Sequence, residues 1–147
     1  MSRSKYDALK LENQLCFPLY AAAREVVKGY HPYLDELGLT YTQYITMMVL
    51  WEEQDISVKA LGERLFLDSG TMTPVLKSLE AKGLVIRKRS MSDERSVIIC
   101  LTDNGIALRD QAVDIPAKVA GGCSGLSPEE GAALYGLLYK MLDAYRK

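Results

Sequence analysis

The chain has 147 residues, 48% hydrophobic and 25% charged, the size and composition of one ordinary globular domain. Eighteen Lys and Arg against nineteen Asp and Glu leave a formal charge of −1, which excludes a wholly basic nucleic-acid binder but not a local basic face. A single histidine, His31, and three scattered cysteines, Cys16, Cys100 and Cys123, exclude the usual zinc spacings, a secreted disulfide framework and a nucleophile elbow with its histidine, so no metal, no cofactor and no enzymatic activity are expected.

Residues 8–30 read as one long helix, with Leu11, Leu15, Leu19, Ala22, Val26 and Tyr30 recurring at intervals of three or four. Pro18 is expected to bend it or restart it locally, and His31-Pro32 to break it before a short helix that stops at Gly38. Thr40 or Thr42 then caps a helix running to Trp51, with Tyr44 or Ile45, Met48, Val49 and Trp51 as its apolar stripe. Ser57 caps the next short helix, and Asp68-Ser69 opens another in which Met72, Val75, Leu76 and Leu79 share one face and Gly83 closes the end. Two β runs follow, Leu84 to Arg89 and Arg95 to Leu101, joined by a polar turn into a hairpin. A helix from Thr102 or Asp103 to about Ala120, kinked at Pro116, leads to a glycine-rich break at 121–125. Ser127-Pro128-Glu129-Glu130 is the start of a last helix that carries Leu134, Leu137, Leu138, Met141, Leu142 and Tyr145.

Helix, helix, helix, hairpin is the order of a winged helix-turn-helix, which sets its recognition helix in the DNA major groove and its wing over the flanking backbone. The fold class is therefore α+β, mainly α. A DNA-binding core spans 41–102, with the recognition helix at about 69–82 and the wing at about 84–101. Opposite the apolar face of that helix lie Ser69, Gly70, Thr71, Thr73, Pro74, Lys77 and Ser78. Hydroxyls and backbone donors at a helix start suit phosphates, Thr71 and Pro74 suit thymine methyl groups, and Lys77 suits a base edge or a phosphate. From Lys77 to Arg95 six bases (Lys77, Lys82, Arg87, Lys88, Arg89, Arg95) face three acids (Glu80, Asp93, Glu94), a local excess of +3 in a chain of net −1. Arg95, at the predicted wing tip, is placed to enter a minor groove. Residues 1–40 and 103–147 exceed what a lone winged domain needs, and their apolar stripes predict a helical dimerisation region that would pair two DNA half-sites. No apolar run approaches the roughly 18 residues of a membrane span. Met1–Asp7 holds no apolar signal core, which predicts a cytoplasmic protein.

Over essentially its whole length the chain resembles the MarR family of dimeric winged-helix regulators. The wing stretch Asp93-Glu94-Arg95-Ser96 after Arg87-Lys88-Arg89 carries the likeness first. Four further stretches, Leu11–Phe17, Leu39–Tyr44, Leu67–Pro74 and Ala112–Pro116, resemble the OhrR type, the organic-hydroperoxide-sensing repressors. The resemblance implies a homodimer that holds double-stranded operator DNA when reduced and leaves it when a cysteine near the N-terminus is oxidised by an organic hydroperoxide. Cys16 falls at that cysteine's place, and Tyr30 and Tyr41 at the tyrosines that hydrogen-bond the reactive sulfur across the dimer. Cys123 resembles the resolving thiol of the two-cysteine form. The chemistry is coherent, since a thiolate attacks peroxide and phenol donors stabilise it or its sulfenic product. The resemblance makes Arg87, Lys88, Asp93 and Arg95 the wing residues for DNA, whereas Cys100, within a strand, reads as packing. Three rival readings stay open: a repressor released by a small phenolic or apolar ligand, a thiol peroxidase, and a winged-helix module for protein partners.

Overall fold

The computed structural model describes residues 3–92, 95–120 and 125–146. The elements run α1 (Cys16–Leu37), α2 (Tyr41–Glu53), β1 (Asp55–Ser57), α3 (Val58–Leu65), α4 (Ser69–Ala81), β2 (Val85–Arg89), β3 (Val97–Leu101), α5 (Asp103–Ala112), α6 (Ile115–Ala120) and α7 (Pro128–Tyr145). The chain divides into two compact units, Met1–Ile115 and Pro116–Lys147.

In the first unit the local signals set most of the boundaries. Thr40 caps α2 as a reciprocal box, its hydroxyl accepting from the Gln43 N–H at 3.2 Å while the Gln43 side chain accepts from the Thr40 N–H at 3.1 Å. Ser57, Asp68 and Thr102 cap α3, α4 and α5 in the same one-sided way, each accepting from a backbone N–H three residues on. Gly38 ends α1 and Gly83 follows α4 at φ of 69° and 75°, left-handed positions that only glycine adopts without cost. Leu34, Met47, Leu50, Leu61, Met72, Leu76, Leu79 and Ile99 are essentially inaccessible and form one core under α2, α3, α4 and the sheet. The Trp51 indole N–H donates to the Gly105 carbonyl at 2.9 Å, tying α2 to α5.

Several expectations are corrected. The first helix begins at Cys16, and residues 7–13 form two 3-10 turns instead, held by the Asn13 and Gln14 side-chain amides donating to the carbonyls of Asp7, Ala8 and Lys10. Pro18 then lies in the first turn, where a missing N–H costs no helical bond, so of a bend and a local restart the helix shows the start, at Cys16, and no bend is required. The break at His31-Pro32 is absent: α1 runs through Pro32, whose missing bond to the Lys28 carbonyl falls on an exposed face open to water. The hairpin is one part of a three-stranded antiparallel sheet in the order β1-β3-β2, with Ile56 opposite Ile99 and Arg87 opposite Ile99 on the other side. The helix expected to run from 103 to 120 is two helices, because Pro116 cannot donate to the Ala112 carbonyl and takes the second position of a fresh helix instead.

The second unit is carried by the rest of α6 and by α7. The start of α7 is as the sequence predicts: a Ser127–Glu130 capping box with Pro128 at the first position. No described residue of α7 is buried, and Leu134, Tyr135, Leu137, Tyr139 and Met141 are exposed. Along α1, Leu34 alone is buried, while Phe17, Leu19 and Val26 are exposed. Among the described residues no helix is long and apolar enough to cross a membrane.

Candidate functional site

The exposed face of α4 is built by its own start. Asp68 accepts the Thr71 N–H at 2.7 Å, and this bond, with that to the Thr71 side chain, holds the Asp68 carboxyl below the ordinary carboxylate range. With Met72, Leu76 and Leu79 turned into the core, Ser69, Gly70, Thr71, Thr73, Pro74 and Lys77 are all exposed. The Thr73 hydroxyl donates to the Ser69 carbonyl at 2.8 Å, which leaves its oxygen lone pairs and methyl group for a partner. An open groove of about 610 Å³ lies between α3, the start of α4 and the hairpin, and Lys59, Ser69, Thr73, Arg87 and Arg95 share its lining. Four of the predicted DNA residues thus converge on one concavity from two elements far apart in sequence. Lys88 is exposed on β2, and Asp93 lies outside the described residues.

The local excess of +3 stands, but the polar side chains of this segment differ in what they are bonded to. Ser78 is not on the outer face: it is half-buried, and its hydroxyl accepts from the Gln43 side-chain amide at 2.9 Å. Lys82 donates to the Gly38 carbonyl and, at 2.8 Å, to the Gln43 side-chain oxygen. Arg87 is paired with Glu80 through Nη2 at 3.2 Å and Nε at 3.4 Å. All six cations of the segment are exposed, Lys82 and Arg87 while carrying these bonds.

Cys16 is the first residue of α1 and its thiol is exposed. Tyr30 lies fourteen residues further along the same helix, about 21 Å away at 1.5 Å per residue. Within one protomer, therefore, the thiol and the tyrosines are apart. The tyrosines themselves come together: the Tyr30 and Tyr41 rings are 5.0 Å apart at 58°. Tyr44, which the sequence reading placed only in an apolar stripe, completes a trio at 5.7 Å from Tyr30 and 6.2 Å from Tyr41. Its spacing of three from Tyr41 was the available signal, since residues three apart share a helix face. Burial pushes the Tyr41 and Tyr44 phenols above their ordinary pKa, and the neighbouring Tyr30 adds to this, so both remain proton donors at neutral pH. Cys100 is buried on β3 and its thiol is pushed up by that burial and by a hydrogen bond with Asp55, which makes it a poor nucleophile. Cys123 lies outside the described residues. Among the described residues no group of three His, Cys, Asp or Glu side chains is placed to hold a metal ion.

Comparison with known proteins places this geometry. A family model described as "Transcriptional regulator SarA/Rot" matches residues 28–111. The chain is 51% identical over 140 residues to the organic hydroperoxide resistance transcriptional regulator of Bacillus subtilis, covering 95% of each. Among solved structures, reduced AbfR bound to DNA, a protein of Staphylococcus epidermidis, superposes with a TM-score of 0.78 at 34% identity over 98% of this chain and 100% of that one. The disulfide form of AbfR superposes at 0.64, with 37% identity over 94% and 96% of the two chains.

Proposed function

The chain belongs to the MarR/SarA family of winged-helix transcriptional regulators, in its organic-hydroperoxide-responsive branch, and from that premise we propose that Cys16 is the thiol through which it senses hydroperoxide. The observation that carries the reading is an exposed cysteine at the head of α1 in a chain whose α1–α2 joint holds three clustered phenols, two of them kept protonated. Two copies with α1 helices antiparallel would bring each Cys16 to the other's Tyr30 and Tyr41. The exposed apolar side chains of α1 and α7 suit such a dimer, with 1–40 and 103–147 as its dimerisation region and 41–102 as the DNA-binding region.

The reduced homodimer holds operator DNA in the cytoplasm through Ser69, Gly70, Thr71, Thr73, Pro74 and Lys77 of α4, with Arg87, Lys88, Asp93 and Arg95 of the wing. When a hydroperoxide arrives, the Cys16 thiolate attacks its distal oxygen. The O–O bond breaks, a S–O bond forms, and the alkoxide takes a proton and leaves as the alcohol. Sulfur is oxidised to the sulfenic acid and the peroxide is reduced. The Tyr30 and Tyr41 hydroxyls donate to the sulfur or to the new oxygen. Cys123 then condenses with the sulfenic acid, forming the S–S bond with loss of water. A disulfide needs its Cα atoms about 4.4–6.8 Å apart, so closure draws helices together and changes the spacing of the two recognition helices. The lower superposition of this chain on disulfide AbfR than on its reduced, DNA-bound form accords with a shape change of that kind.

The test is operator binding by wild type and Cys16→Ser before and after one equivalent of cumene hydroperoxide, with non-reducing mass analysis of the same samples. Wild type should weaken about 30- to 150-fold, a shift of two to three kcal/mol, and gain a Cys16–Cys123 cross-link. Cys16→Ser should do neither. Release that survives Cys16→Ser would instead favour a repressor answering to a small apolar ligand.

A further inference from the structure

The winged domain holds one buried polar cluster that neither the DNA face nor the thiol site uses. Gln43 is 6% exposed, one of two buried polar side chains among the described residues. Its side-chain oxygen accepts from the Thr40 N–H and from Lys82, and its amide donates to the Ser78 hydroxyl. Lys82 also donates to the carbonyl of Gly38, the residue that ends α1, where the negative end of the helix favours a cation. Gln43 therefore joins the first turn of α2 to the last turn of the recognition helix, and through Lys82 to the Gly38 cap of α1.

The placement of that joint gives the cluster its meaning. Only Gly38, Leu39 and Thr40 separate α1 from α2, too short a connector to absorb a shift of one helix against the other. Tyr41 and Gln43 sit in the same first helical turn, and the Tyr41 ring rests against Tyr30 from α1. A displacement of the phenol trio moves this turn, and the hydrogen bonds from it end on Ser78 of α4 and on Lys82, the residue that caps it. We infer that Gln43, held by Lys82 and Ser78, is a positioning residue that passes the oxidation state of the thiol site to the recognition helix. This rests on the function proposed above. A glutamine suits the task because it donates and accepts at once, so it registers both α2 and α4, and its burial keeps water from substituting for either partner.

The experiment measures operator affinity, on DNA from the gene's own upstream region, for reduced protein and for protein treated with one equivalent of cumene hydroperoxide. Wild type, Gln43→Met, Gln43→Glu and Lys82→Met are compared, with thermal melting and the rate of Cys16 thiol loss followed in each. The expected result for Gln43→Met and Lys82→Met is normal thiol loss with the oxidised-to-reduced affinity ratio collapsed from about 30- to 150-fold to less than about fivefold. Gln43→Glu keeps an acceptor for Thr40 and Lys82 and can accept a hydrogen bond donated by the Ser78 hydroxyl, so it should retain the wild-type ratio. An unchanged ratio in Gln43→Met and Lys82→Met overturns the inference, and so does an equal loss of affinity in both redox states, the mark of a merely structural role. Should Gln43→Met fail to fold, the more exposed Lys82→Met decides by itself. A wild type that does not respond to peroxide overturns the proposed function, and this inference with it.

Discussion

Replacing Lys77 by alanine should flatten the salt dependence of operator binding, by an amount the structure sets. Of the six cations between Lys77 and Arg95, Lys82 is spent on Gly38 and Gln43, and Arg87 is paired with Glu80. Counting one phosphate contact for each of Lys77, Lys88, Arg89 and Arg95, with Arg87 already neutralised by Glu80, gives four per protomer, and a homodimer doubles them. At about 0.9 counterions released per phosphate neutralised, eight contacts give a log–log slope near −7 and an affinity loss of roughly 10⁴ between 50 and 200 mM salt. Lys77→Ala removes one contact per protomer and should bring the slope to about −5, whereas Lys82→Met, which removes the same charge from an internally bonded side chain, should move it by less than about one. Fluorescence anisotropy with labelled operator across a KCl series reads both slopes. Equal slopes for wild type and Lys77→Ala, or a larger change in Lys82→Met than in Lys77→Ala, would refute the assignment of Lys77 to the DNA and of Lys82 to its internal bonds.

Two further outcomes follow from burial and exposure. Tyr41 and Tyr44 have phenols raised above 10.0, chiefly by burial, so the stability they share is complete below pH 10, where the unfolded phenols are also protonated. It is lost as pH rises through the folded values, and Tyr44→Phe should lessen the fall in urea midpoint between pH 9 and 11; an identical fall in the variant counts against a protonated, desolvated trio. Leu137 on α7 is 60% exposed, and if α7 is covered by a second copy, Leu137→Glu buries an unpaired carboxylate at a cost on the order of several kcal/mol per protomer. Sedimentation at micromolar concentration should then show monomer, and an unaltered dimer would exclude α7 from the interface.

What was legible in the sequence was local. The caps at Ser57, Thr102 and Ser127, the glycine after α4 and the inward Met72, Leu76 and Leu79 all follow from residues within one or two turns of each other. The effect of a proline depends on its position, which the pattern alone does not give: Pro18 falls in a first turn, where a helix starts, and Pro32 faces water, where the helix runs on through the expected break. The strand β1 was invisible because three residues carry no period, and its pairing partner, β3, begins forty residues on. Counting charges placed Lys82 in the basic patch, since its partners Gly38 and Gln43 lie about forty residues away and no composition window connects them. The Thr40–Gln43 box could have been read directly from its spacing; the bonds from Gln43 to α4 could not. At the thiol site the helix itself keeps Cys16 about 21 Å from Tyr30 of the same protomer, so the pairing of thiol and phenols belongs to a second copy, which no pattern within one chain displays.

The most direct measurement follows, in one sample of the protein–operator complex, the fraction of Cys16 thiol lost and the fraction of DNA freed as cumene hydroperoxide is titrated to one equivalent. Thiol-specific labelling with peptide mass analysis gives the first quantity and anisotropy the second. The account predicts that the two curves coincide and that both reverse on adding reductant. DNA freed while the Cys16 thiol remains intact, or a fully cross-linked Cys16 on protein that still holds its operator at undiminished affinity, would contradict it.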